Sequence, residues 1–246
     1  MSNGVIQDVA RGDRLNIGTS LIDQTMGGAI INNSLGNGFT PAAIVSKTTL
    51  PSFAIVGDSL AYGNFDDADD SGDVGIVARG IGPSFGYVNL ACGNDRAIDF
   101  LRSHRQRLEL GLFASNIIIQ YGLNDFASNR TGYQVLADRT AIAALFPSKK
   151  INETTITPWT SSTDGFSTTR NQMVMKSEPD RIEANSKIRL GRPGISNYFE
   201  IASAVETSPN SGIIRTPNIT PDGIHFRQAG YLLAARSIRS SLTERR

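Results

Sequence analysis

From Pro51 onward the chain alternates short apolar runs with longer amphipathic stretches, and few folds accommodate that pattern. The runs Phe53-Ala-Ile-Val56, Tyr87-Val-Asn-Leu90 and Ile117-Ile-Ile119 are too short for helices and too apolar for strands wetted on one face. They read as strands buried on both sides. A parallel sheet with helices laid over its faces satisfies such strands, so the expected class is α/β.

The segments between the runs carry helical spacing. Ala97, Leu101, His104, Leu108 and Leu112 recur at steps of three and four, which predicts one helix between the second and third strands. A second helix is expected over Tyr133 to Leu145, stopping before Pro147. Thr154-Thr-Ile-Thr157 reads as a fourth strand from its β-branched content, and Pro158 to about Lys176 as a polar loop holding Trp159 and Phe166. A helix near Arg181 to Leu190, a fifth short strand near Phe199 to Val205 and a last helix over Ala229 to Leu242 complete the domain.

Residues 1–50 have a different texture, rich in Gly, Asn, Ser and Thr, with short apolar pieces such as Gly28-Ala-Ile-Ile31 and Ala43-Ile-Val45. They are expected to form an irregular or β-rich extension packed on a main domain spanning 51–246. No internal repeat interrupts this two-part organisation.

Charge and targeting signals narrow the function classes. With 24 Lys plus Arg against 23 Asp plus Glu, the net charge of +1 gives no broad field for a nucleic acid or an anionic membrane, so a small or neutral partner is expected. The start, MSNGVIQDVARGDR, shows no leader pattern and no stretch approaches the length of a membrane span. The chain as given reads as soluble; compartment and oligomeric state are not legible. The single cysteine, Cys92, rules out an intrachain disulfide.

Reactive groups appear at the strand ends. Gly57-Asp58-Ser59-Leu60 follows the first strand directly, and in parallel sheets ligands sit beyond the carboxyl ends of the strands. Ser59 is placed there like a nucleophile, which needs a base within hydrogen-bond reach. The chain has two histidines. His104 falls on the apolar stripe of its predicted helix and is read as a packed residue. His225 lies in Pro221-Asp222-Gly223-Ile224-His225, a spacing that brings the Asp222 carboxylate to one imidazole nitrogen. The plainer alternative is that Asp222 caps the last helix. Acyl transfer also needs donors for an oxyanion. Gly93, after the second strand, offers a backbone N–H, and Asn124, in Gly122-Leu-Asn-Asp125 after the third, offers an amide; either also suits an ordinary turn.

Taken in order, these four blocks resemble the SGNH hydrolases, also called GDSL esterases and lipases: Gly57 to Leu60, Gly93 in Asn89-Leu-Ala-Cys-Gly93, Gly122 to Asp125, and Asp222 to His225. The resemblance covers about 51–239 and implies a three-layer α/β/α sandwich around a five-stranded, flavodoxin-like parallel sheet. It further implies hydrolysis of carboxylic esters without metal or organic cofactor. Ser59, Asp222 and His225 would be the catalytic set, with Ser59, Gly93 and Asn124 the oxyanion donors. The polar, sparsely apolar rim loops favour short acyl groups, with O-acetyl esters of carbohydrates as the specific candidate. Thioesterase or lysophospholipase activity, or a silent glycan-binding module, are the competing readings.

Three features stand beside this set. Asp66, Asp67, Asp69, Asp70 and Asp73 crowd one loop, and Asp67-x-Asp69-x-Ser71-Gly72 imitates the start of a calcium loop, but Ala78 stands where the bidentate Glu is required. A solvated acidic loop shaping the rim of the site is expected instead. Trp159 and Phe166 either line a substrate subsite or anchor their loop to the core. Arg102, Arg105 and Arg107 read as a solvated helix face.

Overall fold

The computed structural model describes residues 5–6, 37–38, 43–67 and 72–243. Near the N-terminus, β1 (Val5–Ile6) pairs antiparallel with β2 (Asn37–Gly38). The expected extension otherwise lies largely outside the described residues. The chain then forms β3 (Phe53–Gly57), α1 (Ser59–Tyr62), α2 (Ile76–Ile81), β4 (Tyr87–Asn89), α3 (Ala97–Ser103), α4 (Arg105–Gly111), β5 (Asn116–Gln120), α5 (Leu123–Ala127) and α6 (Gly132–Ala144). It continues through β6 (Lys150–Thr154), β7 (Thr160–Ser162), β8 (Gln172–Val174), α7 (Glu178–Arg189), β9 (Asn197–Phe199), α8 (Ala202–Val205) and α9 (Gln228–Thr243).

Five of these strands form one parallel sheet in the order β4-β3-β5-β6-β9. The period-two alternation of side chains divides its core into two layers. Ala54 pairs with Ile117 and Val56 with Ile119, and all four join Phe100 of α3 and Ile142 of α6 on one face. Ile55 pairs with Ile118, and both face Ile76 and Ile81 of α2 and Ile238 of α9 on the other. Continuous apolar runs are therefore required in β3 and β5, because neither face meets water. The outer layers pack closely: a Cβ on Gly80 of α2 would stand 2.8 Å from the Cβ of Ile238.

The predicted three-layer α/β architecture with five parallel strands is the one observed, but several boundaries move. The single helix expected through His104 is two helices, α3 and α4, meeting at that residue. The His104 ring stacks on Phe100 and its Nδ1 lies 3.0 Å from the Leu101 carbonyl, so the side chain engages its own turn. The fourth strand is β6, earlier than Thr154–Thr157. Its sequence, Lys-Ile-Asn-Glu-Thr, hides a buried carboxylate. Glu153 accepts from Arg139 of α6 at 3.3 Å and from Arg192 at 2.6 Å, while Arg139 also donates to the carbonyls of Thr154 and Tyr121. The threonines beyond β6 serve as connectors: the Thr155 hydroxyl accepts from the backbone N–H groups of Ile201 and Ala202, both at 2.9 Å. The fifth strand is β9 and not the Phe199–Val205 segment; residues 202–205 are α8. Within the loop expected from Pro158 to Lys176, β7 and β8 form an antiparallel hairpin. The next helix, α7, begins a turn early at Glu178, with Pro179 in its first turn, where a missing N–H costs nothing.

Candidate active site

Ser59 stands where β3 ends and α1 begins. Asp58 caps α1 by accepting the Leu60 N–H at 3.0 Å. The turn is tight enough that a Cβ on Gly57 would lie 2.6 Å from the Ala61 Cβ and 2.7 Å from the Gln120 carbonyl. Gly57 is thus a requirement of close approach. The Asp58 side chain is buried, and loss of water pushes its carboxyl up to about 7 against the pull of the Leu60 N–H.

A second segment, far along the chain, delivers the imidazole. His225 Nε2 lies 2.8 Å from Ser59 Oγ, and His225 Nδ1 lies 2.7 Å from Asp222 Oδ2. The turn that makes this possible closes on itself. Asp222 Oδ1 accepts the N–H groups of Ile224 and His225 at 2.9 and 2.8 Å. The Thr220 hydroxyl accepts from Gly223 N–H at 2.8 Å and donates to the His225 carbonyl at 2.6 Å. Partial burial raises the Asp222 carboxyl, but the imidazole and the two backbone donors outweigh it and hold the group below its ordinary value. Asp222 therefore does more than cap a helix: α9 begins only at Gln228.

The hairpin braces this turn. Thr160 N–H donates to the Gly223 carbonyl at 3.0 Å. Gly223 has φ +81°, and a Cβ there would meet the Thr160 carbonyl at 1.9 Å and the Phe166 ring at 2.7 Å. Phe166 is buried against the turn, so it acts as an anchor; Trp159 likewise packs partly buried against the core.

Two further strand ends complete the surroundings. Gly93 follows β4 in a loop tied to the first block by Cys92 N–H donating to the Gly57 carbonyl at 3.0 Å. Asn124 opens α5, and its amide donates to the Asp95 carbonyl at 3.0 Å, so the loop carrying Gly93 also fixes Asn124. Asp95 is itself held by Arg107 at 2.5 Å and by the Tyr121 hydroxyl at 2.8 Å. Arg107 thus departs from the solvated face expected of it, whereas Arg102 and Arg105 are exposed. Among the described residues, the His104 side chain makes the local contacts given above.

The acidic segment is only partly a solvated loop. The Asp66 side chain is covered, pairs with Arg79 at 2.7 Å and accepts the Gly75 N–H at 2.8 Å; Asp73 is buried and accepts from the Tyr87 hydroxyl at 2.7 Å. The calcium-like pattern runs through residues outside those described. Among the described residues no group of three His, Cys, Asp or Glu is arranged to hold a metal, and no helix is long and apolar enough to cross a membrane. Sequence reading missed Thr220, Thr160 and Arg107 as positioning groups. Thr220, just before Pro-Asp-Gly, carried a turn signal; the other two carried none.

No family model matches the chain, and no curated protein matches it. Solved structures do. A GDSL-like lipase from Bacteroides thetaiotaomicron has a TM-score of 0.57 at 15% identity, over 80% of this chain and 89% of that one. A lipase/acylhydrolase from Enterococcus faecalis has a TM-score of 0.56 at 20% identity, over 80% of this chain and 97% of that one. The chain accordingly has the fold of the GDSL-type lipases and acylhydrolases.

Proposed function

We propose that this protein is a serine ester hydrolase of the SGNH/GDSL family, working through an acyl-enzyme. The observation that carries the reading is the hydrogen-bond chain Ser59 Oγ to His225 Nε2, His225 Nδ1 to Asp222 Oδ2, at 2.8 and 2.7 Å. A buried serine, an imidazole and an oriented carboxylate in that sequence have the geometry of nucleophile, base and orienting group.

In the proposed reaction, Ser59 Oγ attacks the ester carbonyl carbon as its proton passes to His225 Nε2, and Asp222 stabilises the imidazolium. The oxyanion is held by the backbone N–H groups of Ser59 and Gly93 and by the Asn124 amide. Collapse expels the alcohol, which takes the proton from His225. Water then repeats the sequence, with His225 again as base, and releases the acid.

The finer proposal is a short acyl group, with O-acetyl esters of carbohydrates as the substrate class. Small or polar residues support it: Gly93, Asn94 and Asn124 follow β4 and β5, and Asp222 is only partly covered. A thioester or lysophospholipid substrate is the alternative inside the same chemistry. The test is hydrolysis of p-nitrophenyl esters of rising acyl length by the protein and by Ser59→Ala. Acetate cleavage that disappears in the variant supports the reading. Absence of Ser59-dependent cleavage at every length would instead point to a glycan-binding module.

A further inference from the structure

The segment leaving α1, Gly63-Asn64-Phe65-Asp66, is held far more firmly than an exposed loop requires. Gly63 and Asn64 donate their N–H groups to the Ser59 carbonyl at 2.9 and 3.0 Å. The Tyr231 hydroxyl donates to the Asn64 carbonyl at 2.7 Å. On the other side, Asp66 takes Arg79 through both carboxylate oxygens, at 2.7 and 2.9 Å. Between these clamps Phe65 is forced to φ +61°, a left-handed conformation that a non-glycine residue adopts at a cost in free energy.

The outcome of this strain is an aromatic ring 64% exposed to solvent. It contributes little to the core, yet its centroid lies 5.4 Å from that of His225. Asn64 points along the same rim in the other direction: its Nδ2 lies 4.0 Å from where a Cβ on Gly93 would stand. The segment therefore borders both the imidazole and the loop after β4.

We infer that Phe65 is the platform for the alcohol half of the ester, and that this alcohol is a pyranose ring. The inference rests on the hydrolase reading above. The leaving alcohol takes its proton from His225 Nε2, so it departs beside the imidazole, and the exposed ring against that imidazole borders the alcohol. A pyranoside offers an apolar C–H face to such a ring and hydroxyls to polar neighbours such as Asn64. A single exposed ring suits an amphipathic partner of that kind better than an alkyl chain, which needs an enclosed apolar groove.

The experiment compares kcat/KM for a mono-O-acetylated methyl β-D-xylopyranoside with that for ethyl acetate, in the wild type, Phe65→Gly and Phe65→Tyr, with Ser59→Ala as the blank. Glycine accepts the left-handed backbone, so Phe65→Gly should match or exceed the wild type in thermal stability. It should lower the ratio of the two kcat/KM values about tenfold, chiefly through KM for the pyranoside, whereas Phe65→Tyr keeps the ratio. Tyr133→Ala, which removes an exposed aromatic on α6, should leave the ratio unchanged. An unchanged ratio in Phe65→Gly, or an equal loss on both substrates, overturns the platform while sparing the hydrolase reading. No Ser59-dependent turnover of either ester overturns both.

Discussion

Asp222 divides its two oxygens between two tasks: Oδ2 meets His225 Nδ1 at 2.7 Å, while Oδ1 takes the backbone N–H groups of Ile224 and of His225 itself. The carboxylate that orients the ring also shapes the turn carrying it. Charge and turn can be separated by substitution. Asp222→Asn keeps an oxygen for the backbone donors but cannot stabilise an imidazolium as a carboxylate does. Its kcat on a p-nitrophenyl acetate assay should fall by about a thousandfold to ten-thousandfold, with little change in KM or melting temperature. A loss of less than tenfold would remove Asp222 from the proposed catalytic set.

Gly223→Ala probes the brace from the hairpin. The added Cβ would collide with the Thr160 carbonyl at 1.9 Å, and the φ of +81° is itself adverse for alanine. Turn and hairpin must then separate. The expected cost is roughly 1–3 kcal/mol of stability or more in chemical denaturation, with turnover falling further than stability because His225 rides on the displaced turn. Full activity at wild-type stability would show that the brace is dispensable.

The pH dependence of folding should register Asp58. Its native carboxyl titrates at about 7 against an ordinary value of 3.8. Between those two values the folded state binds more protons than the unfolded chain, so this group's contribution to stability declines as pH rises from about 4 to 7 and is level above that. Asp58→Asn keeps an acceptor for the Leu60 N–H and removes the titration. The melting temperature of the variant relative to the wild type should therefore rise across that interval. A constant difference between the two would refute the assignment.

Sequence and structure agree best where a single physical cause dominates. The doubly buried strands β3 and β5 were legible because their centres, Phe53–Val56 and Ile117–Ile119, are continuous apolar runs between two helical layers. The approach of Ser59, Asp222 and His225 was legible in outline through the resemblance that the four ordered blocks carry, whereas the Pro-Asp-Gly turn alone left Asp222 open as a helix cap. β6 was misplaced because Asn152 and Glu153 look like loop residues until their partners on other segments are known. Phe65 escaped notice and Arg107 was read as solvated for the same reason: their significance lies in contacts with His225 and Asp95, which no local pattern announces.

Glu153 has one more implication, for assembly of the fold. It lies fully buried in a strand flanked on both sides by others, with its charge answered from α6 and from Arg192. Covering this face of the sheet without Arg139 and Arg192 in place would leave the carboxylate with neither water nor counterion, at a cost of several kcal/mol. The layer over the middle of the sheet is therefore compatible with Glu153 only when both arginines come with it, so a residue that reads as a loop carboxylate ties β6 to α6 and to the segment after α7.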